Sequence, residues 1–286
     1  MTAGDIKITT GMHSDYMSGV VVNGADDYIQ IDALAAAEAL ATNVKGAISA
    51  WINIPDITTS SYCVFALGDN DAVEHIELMV TAGKLRGYCI DGGVLQWDVV
   101  STTTTLTPHQ WHHVCLVHDS VRPYLYLDGV ALAMTDTDAT DLTEWTNGLT
   151  GLDKGAIGIL VMNGTTTLDF KGGIAYVKYA TEAATAYNTW SANDVLQEYN
   201  YRGGYGTGTG VTKGVLCTWT LNGNCTETTT GGGTYDGTIV SDVQYDSEYS
   251  QLTSKLRLLA PVVADDICLM ATGMSGGVTA VVVKAA

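Results

Sequence analysis

The stretch LTPHQWHHVCLVHDSVRPYLYLDGV, Leu106 to Val130, decides the fold. Trp111 opens a run rich in apolar and β-branched residues, Val114, Leu116 and Val117 among them, which suits a pleated strand. A second run, Tyr124 to Leu127, ends at Asp128-Gly129. That dipeptide tolerates the positive φ angles of a tight hairpin turn. The segment predicts a β-hairpin whose second strand is turned out by Asp128-Gly129.

Composition points the same way. A length of 286 residues suffices for one large β domain, or for a domain with an appendage. Hydrophobic residues make up 46% of the chain, enough for a full core and too many for disorder. There are 32 Gly against 4 Pro, and Thr runs at 102–105 and 165–167, so turns and strands are favoured over helices. The net charge is −18, with only 13 basic residues. Such a chain is repelled by nucleic-acid phosphates and anionic membranes, which excludes both as expected partners. No run of about 18 apolar residues predicts a transmembrane helix. The first 22 residues lack a basic start followed by an apolar core, so no signal peptide is expected in this chain.

The pattern Q-W-H-H-V … L-Y-L-D-G-V, from Gln110 to Val130, resembles the central hairpin of laminin-G-like domains, relatives of the concanavalin A-like lectins and glucanases. Other segments follow that family's order. Tyr28–Ile31 is similar to its first strand. Ala47–Ile54 is similar to its S-x-W-I strand and stops at Pro55. Phe170–Val177 is similar to its F-x-G-x-I-x-x-V strand. Asp32 is read as the N-cap of an Ala-rich helix, Ala33 to Ala41. Ser191 to Asp194 opens a second helix with a capping-box pattern. Val215–Gly223 resembles the strand that usually opens such a domain. Here it follows the core, and closing the same sandwich is preferred to beginning an incomplete second unit. The resemblance covers roughly residues 27–202 and 214–223 and implies an all-β, concanavalin A-like jelly-roll sandwich. The expected division is an N-terminal arm (1–26), the jelly roll (27–202), a linker and returning strand (203–254), and an apolar C-terminal β-hairpin (255–286) for docking or assembly.

Catalytic patterns are weak. Gly273-Met274-Ser275-Gly276-Gly277 matches the nucleophile-elbow formula, but strand-like sequence flanks it and no His follows His118, so a hairpin turn is expected. Glu74 and Glu77 are three apart, which on a strand places them on opposite faces, unlike a glucanase carboxylate pair. His112 and His113 point to opposite faces, and His118 lies too far along the strand to share a metal with His112. No catalytic residue is assigned and the chain reads as non-enzymatic. The six Cys carry no zinc spacing and read as buried thiols, although Cys217 and Cys225 are near enough to bridge in an oxidising medium.

Two binding features remain. The resemblance implies Ca²⁺ on rim loops, and Asp69, Asn70, Asp71, Asp136 and Asp138 supply oxygen ligands on expected loops. Trp97 and Trp145 lie beside polar or loop residues, where they either stack on sugar or pack at a rim. The reading is a structural and recognition protein of a phage virion surface, a capsid decoration or fibre, with a lectin-like fold. Its expected partners are copies of itself, other virion proteins or a surface polysaccharide, and its expected location is the virion or the extracellular space. The alternative is a secreted bacterial carbohydrate-binding module or adhesin, assisted by calcium.

Overall fold

The computed structural model describes residues 19–245, apart from 59, 183–188, 205, 230–233 and 242–243, with only the backbone described for Gln244 and Tyr245. Most of the expected N-terminal arm, the C-terminal hairpin and its Gly273–Gly277 turn lie outside these residues.

The described chain folds into two antiparallel sheets of eight strands each. The first runs β10 (Val130–Ala131), β9 (Pro123–Leu127), β8 (Trp111–His118), β3 (Gly46–Asn53), β15 (Lys171–Thr181), β1 (Val20–Asn23) and β18 (Gln244–Tyr245). Strand β16 (Val215–Trp219) shares one edge of β15 with β1. The second runs β11 (Met134–Ala139), β7 (Val94–Ser101), β6 (Lys84–Asp91), β5 (His75–Thr81), β4 (Ser61–Gly68), β12 (Lys154–Ile157), β2 (Tyr28–Gln30) and β17 (Thr238–Val240). A hairpin of β13 (Leu160–Met162) and β14 (Thr165–Thr167) stands apart, and two helices, α1 (Asp32–Glu38) and α2 (Ala192–Tyr201), complete the fold.

The deciding hairpin is held by one carboxylate. Leu127 pairs with Val130 across a two-residue turn in which Asp128 (φ 49°) and Gly129 (φ 78°) are both left-handed. Asp128 Oδ1 accepts from the His113 backbone N–H at 2.9 Å, and Oδ2 lies 2.8 Å from His112 Nδ1. His112 Nε2 accepts from Thr107 N, so Nδ1 carries the proton and donates. Gly129 is demanded twice. A Cβ there would also come within 2.9 Å of Leu196 Cδ1 on α2.

Between the sheets, Ile48, Ile52, Val114 and Leu116 of the first face Phe65, Leu67, Ile76 and Leu78 of the second. Each such side chain contributes about 1.5–3 kcal/mol on burial. Phe65 stacks on Tyr179 at 5.8 Å. Strand β3 is buried at every position because its other face is covered too. Ala47, Cys115, Val117 and Ala180 pack there against Trp190, Val195 and Val211, from α2 and the chain around it. Lys178 on β15 donates to Glu198 on α2 at 2.8 Å and to the Val211 carbonyl at 3.0 Å, with both charges buried. Burial pulls the Lys178 ammonium below its ordinary pKa. The α2 N-terminus carries a complete capping box between Ser191 and Asp194.

Two expectations change. Strand β1 pairs with β15 as part of the sheet, so an arm drawn to residue 26 cuts into the sandwich. Ile31, not Asp32, is the N-cap of α1. Asp32 is the first helical residue, and its carboxylate accepts from Gly155 N and pairs with Lys154. Cys63, Cys89, Cys115 and Cys217 are free thiols, and all four are buried, as is Cys225. Strand β16 joins the same sandwich, pairing Trp219 with Val177. Among the described residues no helix is long and apolar enough to cross a membrane.

Two predictions follow from the covered face. Lys178→Met strands the buried Glu198 carboxylate and is expected to cost about 3–5 kcal/mol in urea unfolding. Adding Glu198→Leu should recover part of that loss, and a single variant costing under ~1 kcal/mol would show that the pair does not hold α2. The second concerns His113, fully buried beside Ser49, whose pKa burial pushes down to about 3. The unfolded imidazole titrates near ~6.5. The unfolded state therefore binds the extra proton, and stability held above ~6.5 is lost as pH falls toward the folded value. At ~1.4 kcal/mol per pH unit, the advantage of the native chain over His113→Gln should be about 2 kcal/mol smaller at pH ~5 than at pH ~7. An equal difference at both pH values would contradict the assignment.

Candidate functional site

One outer face of the sandwich is sealed by α2. On the other, strand alternation turns Ile76, Leu78 and Val80 of β5 inward and His75, Glu77 and Met79 outward. Register then builds a row of side chains across the sheet. Glu77 faces Ala66 on β4 and Tyr88 on β6, Tyr88 faces Asp98 on β7, and Asp98 faces Asp138 on β11.

Around this row the polar groups interlock. Arg86 donates from Nε and Nη2 to the two oxygens of Asp98, both at 2.6 Å. Its guanidinium lies 4.8 Å above the Tyr88 ring. The His75 ring stacks against Tyr88 at 5.7 Å and 16°. His75 Nε2 is 3.7 Å from Glu77 Oε1. The Asp98 bond holds the Arg86 pKa above its ordinary value, and burial raises the Tyr88 hydroxyl.

His75 is 2% exposed and Glu77 3%, yet His75 Nδ1 and Glu77 Oε2 have no hydrogen-bond partner in the protein. Buried polar atoms in native folds are almost always partnered, and an unpartnered one costs about 1–3 kcal/mol. The two atoms belong to neighbouring side chains of the outer face, where Nε2 and Oε1 of the same pair lie 3.7 Å apart. The β13–β14 hairpin walls this face, since Leu160 and Met162 pack with Leu168 on Cys63 and Ala66. The Cys63 thiol lies against Glu77, and burial and that carboxylate push its pKa up.

The residues expected from sequence fall elsewhere. Trp97 and Trp145 are fully buried core residues, which corrects their reading as sugar platforms. Trp97 points inward from β7 and donates to the Glu144 carbonyl at 2.7 Å. Trp145 fills the space left beside Gly46, and the His118 ring lies between the two indoles, 6.1 Å and 5.3 Å from them. Neither has a face open to ligand.

The expected calcium ligands fall in two separate places. Asp136 and Asp138 stand on β11, not on a loop, where Asp136 is held by Arg122 at 2.6 Å and Asp138 accepts from Thr140. Asp69, Asn70 and Asp71 form a turn after β4 in which Asp69 Oδ1 accepts from Asp71 N and Asn70 N donates to Asp153. Among the described residues no three His, Cys, Asp or Glu side chains converge on a metal position. Glu74 and Glu77 do separate, as their spacing requires. Glu74 precedes β5 and accepts from Gly151 N.

Sequence reasoning passed over Arg86, Tyr88 and Asp98. The signal was a charged or aromatic polar residue at alternate positions of consecutive strands, which is also how a merely solvated face looks.

Residues 23–158 match the family model of the concanavalin A-like lectin/glucanases superfamily. No curated protein matched the sequence. Among solved structures, the CBM40 domain of Ruminococcus gnavus IT-sialidase superposes with a TM-score of 0.51 at 16% identity, covering 64% of this chain and 97% of that one. The same domain bound to α2,3-sialyllactose gives 0.50 at 15% identity over the same shares. An intramolecular trans-sialidase from leech gives 0.49 at 18% identity, covering 63% of this chain and 27% of that one. The two-sheet sandwich, the Asp128-Gly129 hairpin and the family match agree on a concanavalin A-like, lectin-like fold, in which residues 23–158 match the superfamily's model.

Proposed function

We propose that this sandwich is a non-catalytic glycan-binding domain, and that it takes a neutral glycan on the outer face of its second sheet. The observation that carries the reading is the buried Glu77–His75 pair, with one oxygen and one ring nitrogen lacking partners. Sugar hydroxyls both donate and accept, the two kinds of contact that these atoms lack. Tyr88 supplies the aromatic element beside them. The lectin-like fold and the sialyllactose held by the R. gnavus domain support carbohydrate as the ligand class.

The choice of a neutral sugar comes from charge. An acidic sugar needs a free cationic fork, and the Arg86 edge suited to that task is already occupied by Asp98. Glu77 and Asp138 add further negative charge around Tyr88. A sialic acid carboxylate would be repelled where a hexose hydroxyl would be accepted.

A glycan array with the full chain tests this. Neutral glycans are expected to score and sialylated ones to stay blank, with and without Ca²⁺. Glu77→Gln should weaken the best neutral ligand by about 1.5–3 kcal/mol, roughly ten- to a hundredfold. An array blank for neutral glycans, or one led by sialosides, would overturn the reading.

We also propose that the domain works on a virus particle surface, as a decoration or fibre component. The apolar alternation of residues 255–286 supports this, because such a segment gains most by pairing with other chains. Light scattering of the full chain should give a trimer or larger, and a form ending before Lys255 should give a monomer. A monomer in both forms would favour a self-contained lectin domain instead.

A further inference from the structure

At one end of the sandwich, where β3 leaves the first sheet and β4 enters the second, a cleft of about 610 Å³ opens. Pockets that hold small organic ligands run to about 300–1,000 Å³. Asp56, Ser60, Ser61, Asp169 and Lys171 line it, beside the Tyr62 ring. Ser61 stands at the edge of the outer face that carries Glu77, with its hydroxyl 2.9 Å from Thr81 Oγ1. Cys63 and Leu168 stand between the two places, since Leu168 packs on Cys63 and its carbonyl accepts from Cys63 N at 2.8 Å.

The cleft is built around Asp169. On one side Leu168 is held in a left-handed conformation, φ 61°, by its packing. Such strain in a branched residue persists only where the surroundings impose it, and it gathers at binding sites. On the other side Phe170 is fully buried, and its N–H bonds the Gly158 carbonyl at 2.8 Å. Asp169 is thus fixed between two anchors. Its Oδ1 is shut away from solvent with no hydrogen-bond partner. Lys171 is positioned by Gly24, where a Cβ would come within 2.9 Å of the lysine Cβ. Asp56 Oδ1 accepts from both the N–H and the hydroxyl of Thr58, which keeps its carboxyl below the usual range and ionised.

The lining therefore offers two carboxylates, one ammonium and two serine hydroxyls around a half-open space. An open carboxylate oxygen takes a hydroxyl donor, and the ammonium donates to a neighbouring oxygen. Two negative charges against one positive disfavour an acidic ligand. We infer that this cleft is a second carbohydrate subsite, taking one neutral hexopyranose unit through a hydroxyl on the open carboxylate oxygen of Asp169 and a neighbouring oxygen on Lys171.

The test is an amide NMR titration of the full chain with glucose, galactose, mannose and N-acetylglucosamine in turn, at tens-of-millimolar concentration. At least one sugar should shift the amides of Ser60, Ser61, Asp169 and Lys171. Asp169→Asn should abolish those shifts, whereas Glu77→Gln should leave them in place, which separates this subsite from the Glu77 face. If Asp169→Asn loses the folded spectrum, Lys171→Met serves instead. Its side chain is exposed, and it should raise the half-saturating concentration about tenfold. No shift at these amides with any of the four sugars, or shifts unchanged in the folded variant, would overturn the inference.

Discussion

The buried bond between Lys178 and Glu198 is the constraint on which the rest of the architecture turns. A two-sheet sandwich has two outer faces, and a sequence that buries one of them must supply something to cover it. Here the cover is α2 and the chain on either side of it, and the anchor is a charged pair with both members inside. Such a pair is a poor source of net stability compared with apolar side chains. Its value lies in uniqueness. An apolar patch can slide under a helix, but an ammonium that must meet one carboxylate and one carbonyl fixes both position and rotation. Gly129 and Leu196 then lock the hairpin against that helix. With the first face closed in this way, the outer face of the second sheet is left for function.

The second face is held by a different set of contacts. Stacked rings and a forked ion pair hold Tyr88, Arg86 and Asp98 in place, yet Glu77 Oε2 and His75 Nδ1 are left unsatisfied at the centre. A face selected only for stability would fill those positions with a hydroxyl or an apolar side chain. Rigid surroundings with unsatisfied atoms at the middle are the arrangement expected of a preorganised binding surface. The net charge of −18 fits this reading, because a strongly acidic domain gains no long-range attraction toward acidic glycans.

Much of the fold was legible in the sequence because its signals are local. Asp128-Gly129 needs nothing beyond two left-handed residues, and the capping box at Ser191 lies within four residues. The site was less legible because it depends on pairing. Glu198 and Lys178 are 20 residues apart, and nothing local says that a helix carboxylate will meet a strand ammonium. Residues 215–219 read as a sandwich strand, but their place beside β1 on one edge of β15 follows from the sheet.

Trp97 shows how little separates a correct from an incorrect reading of such a face. The turn between β6 and β7 is two residues long, so Asp91 pairs with Val94 and Ile90 with Leu95. Continued without interruption, that register would set Tyr88 opposite Trp97 and place the indole on the outer face, available to a sugar. The ladder does not continue. Gln96 is an extra residue in β7, so Cys89 pairs with Trp97 and Tyr88 with Asp98. A one-residue bulge reverses the face of every side chain beyond it. It drives Trp97 into the core against His118 and brings Asp98 out to meet Arg86. The same bulge therefore removes the aromatic platform that the sequence suggests and creates the ion pair that leaves the face without a free cation for acidic sugars. What this part of the face presents is set less by which residues are present than by a backbone irregularity in β7 that decides which of them point outward.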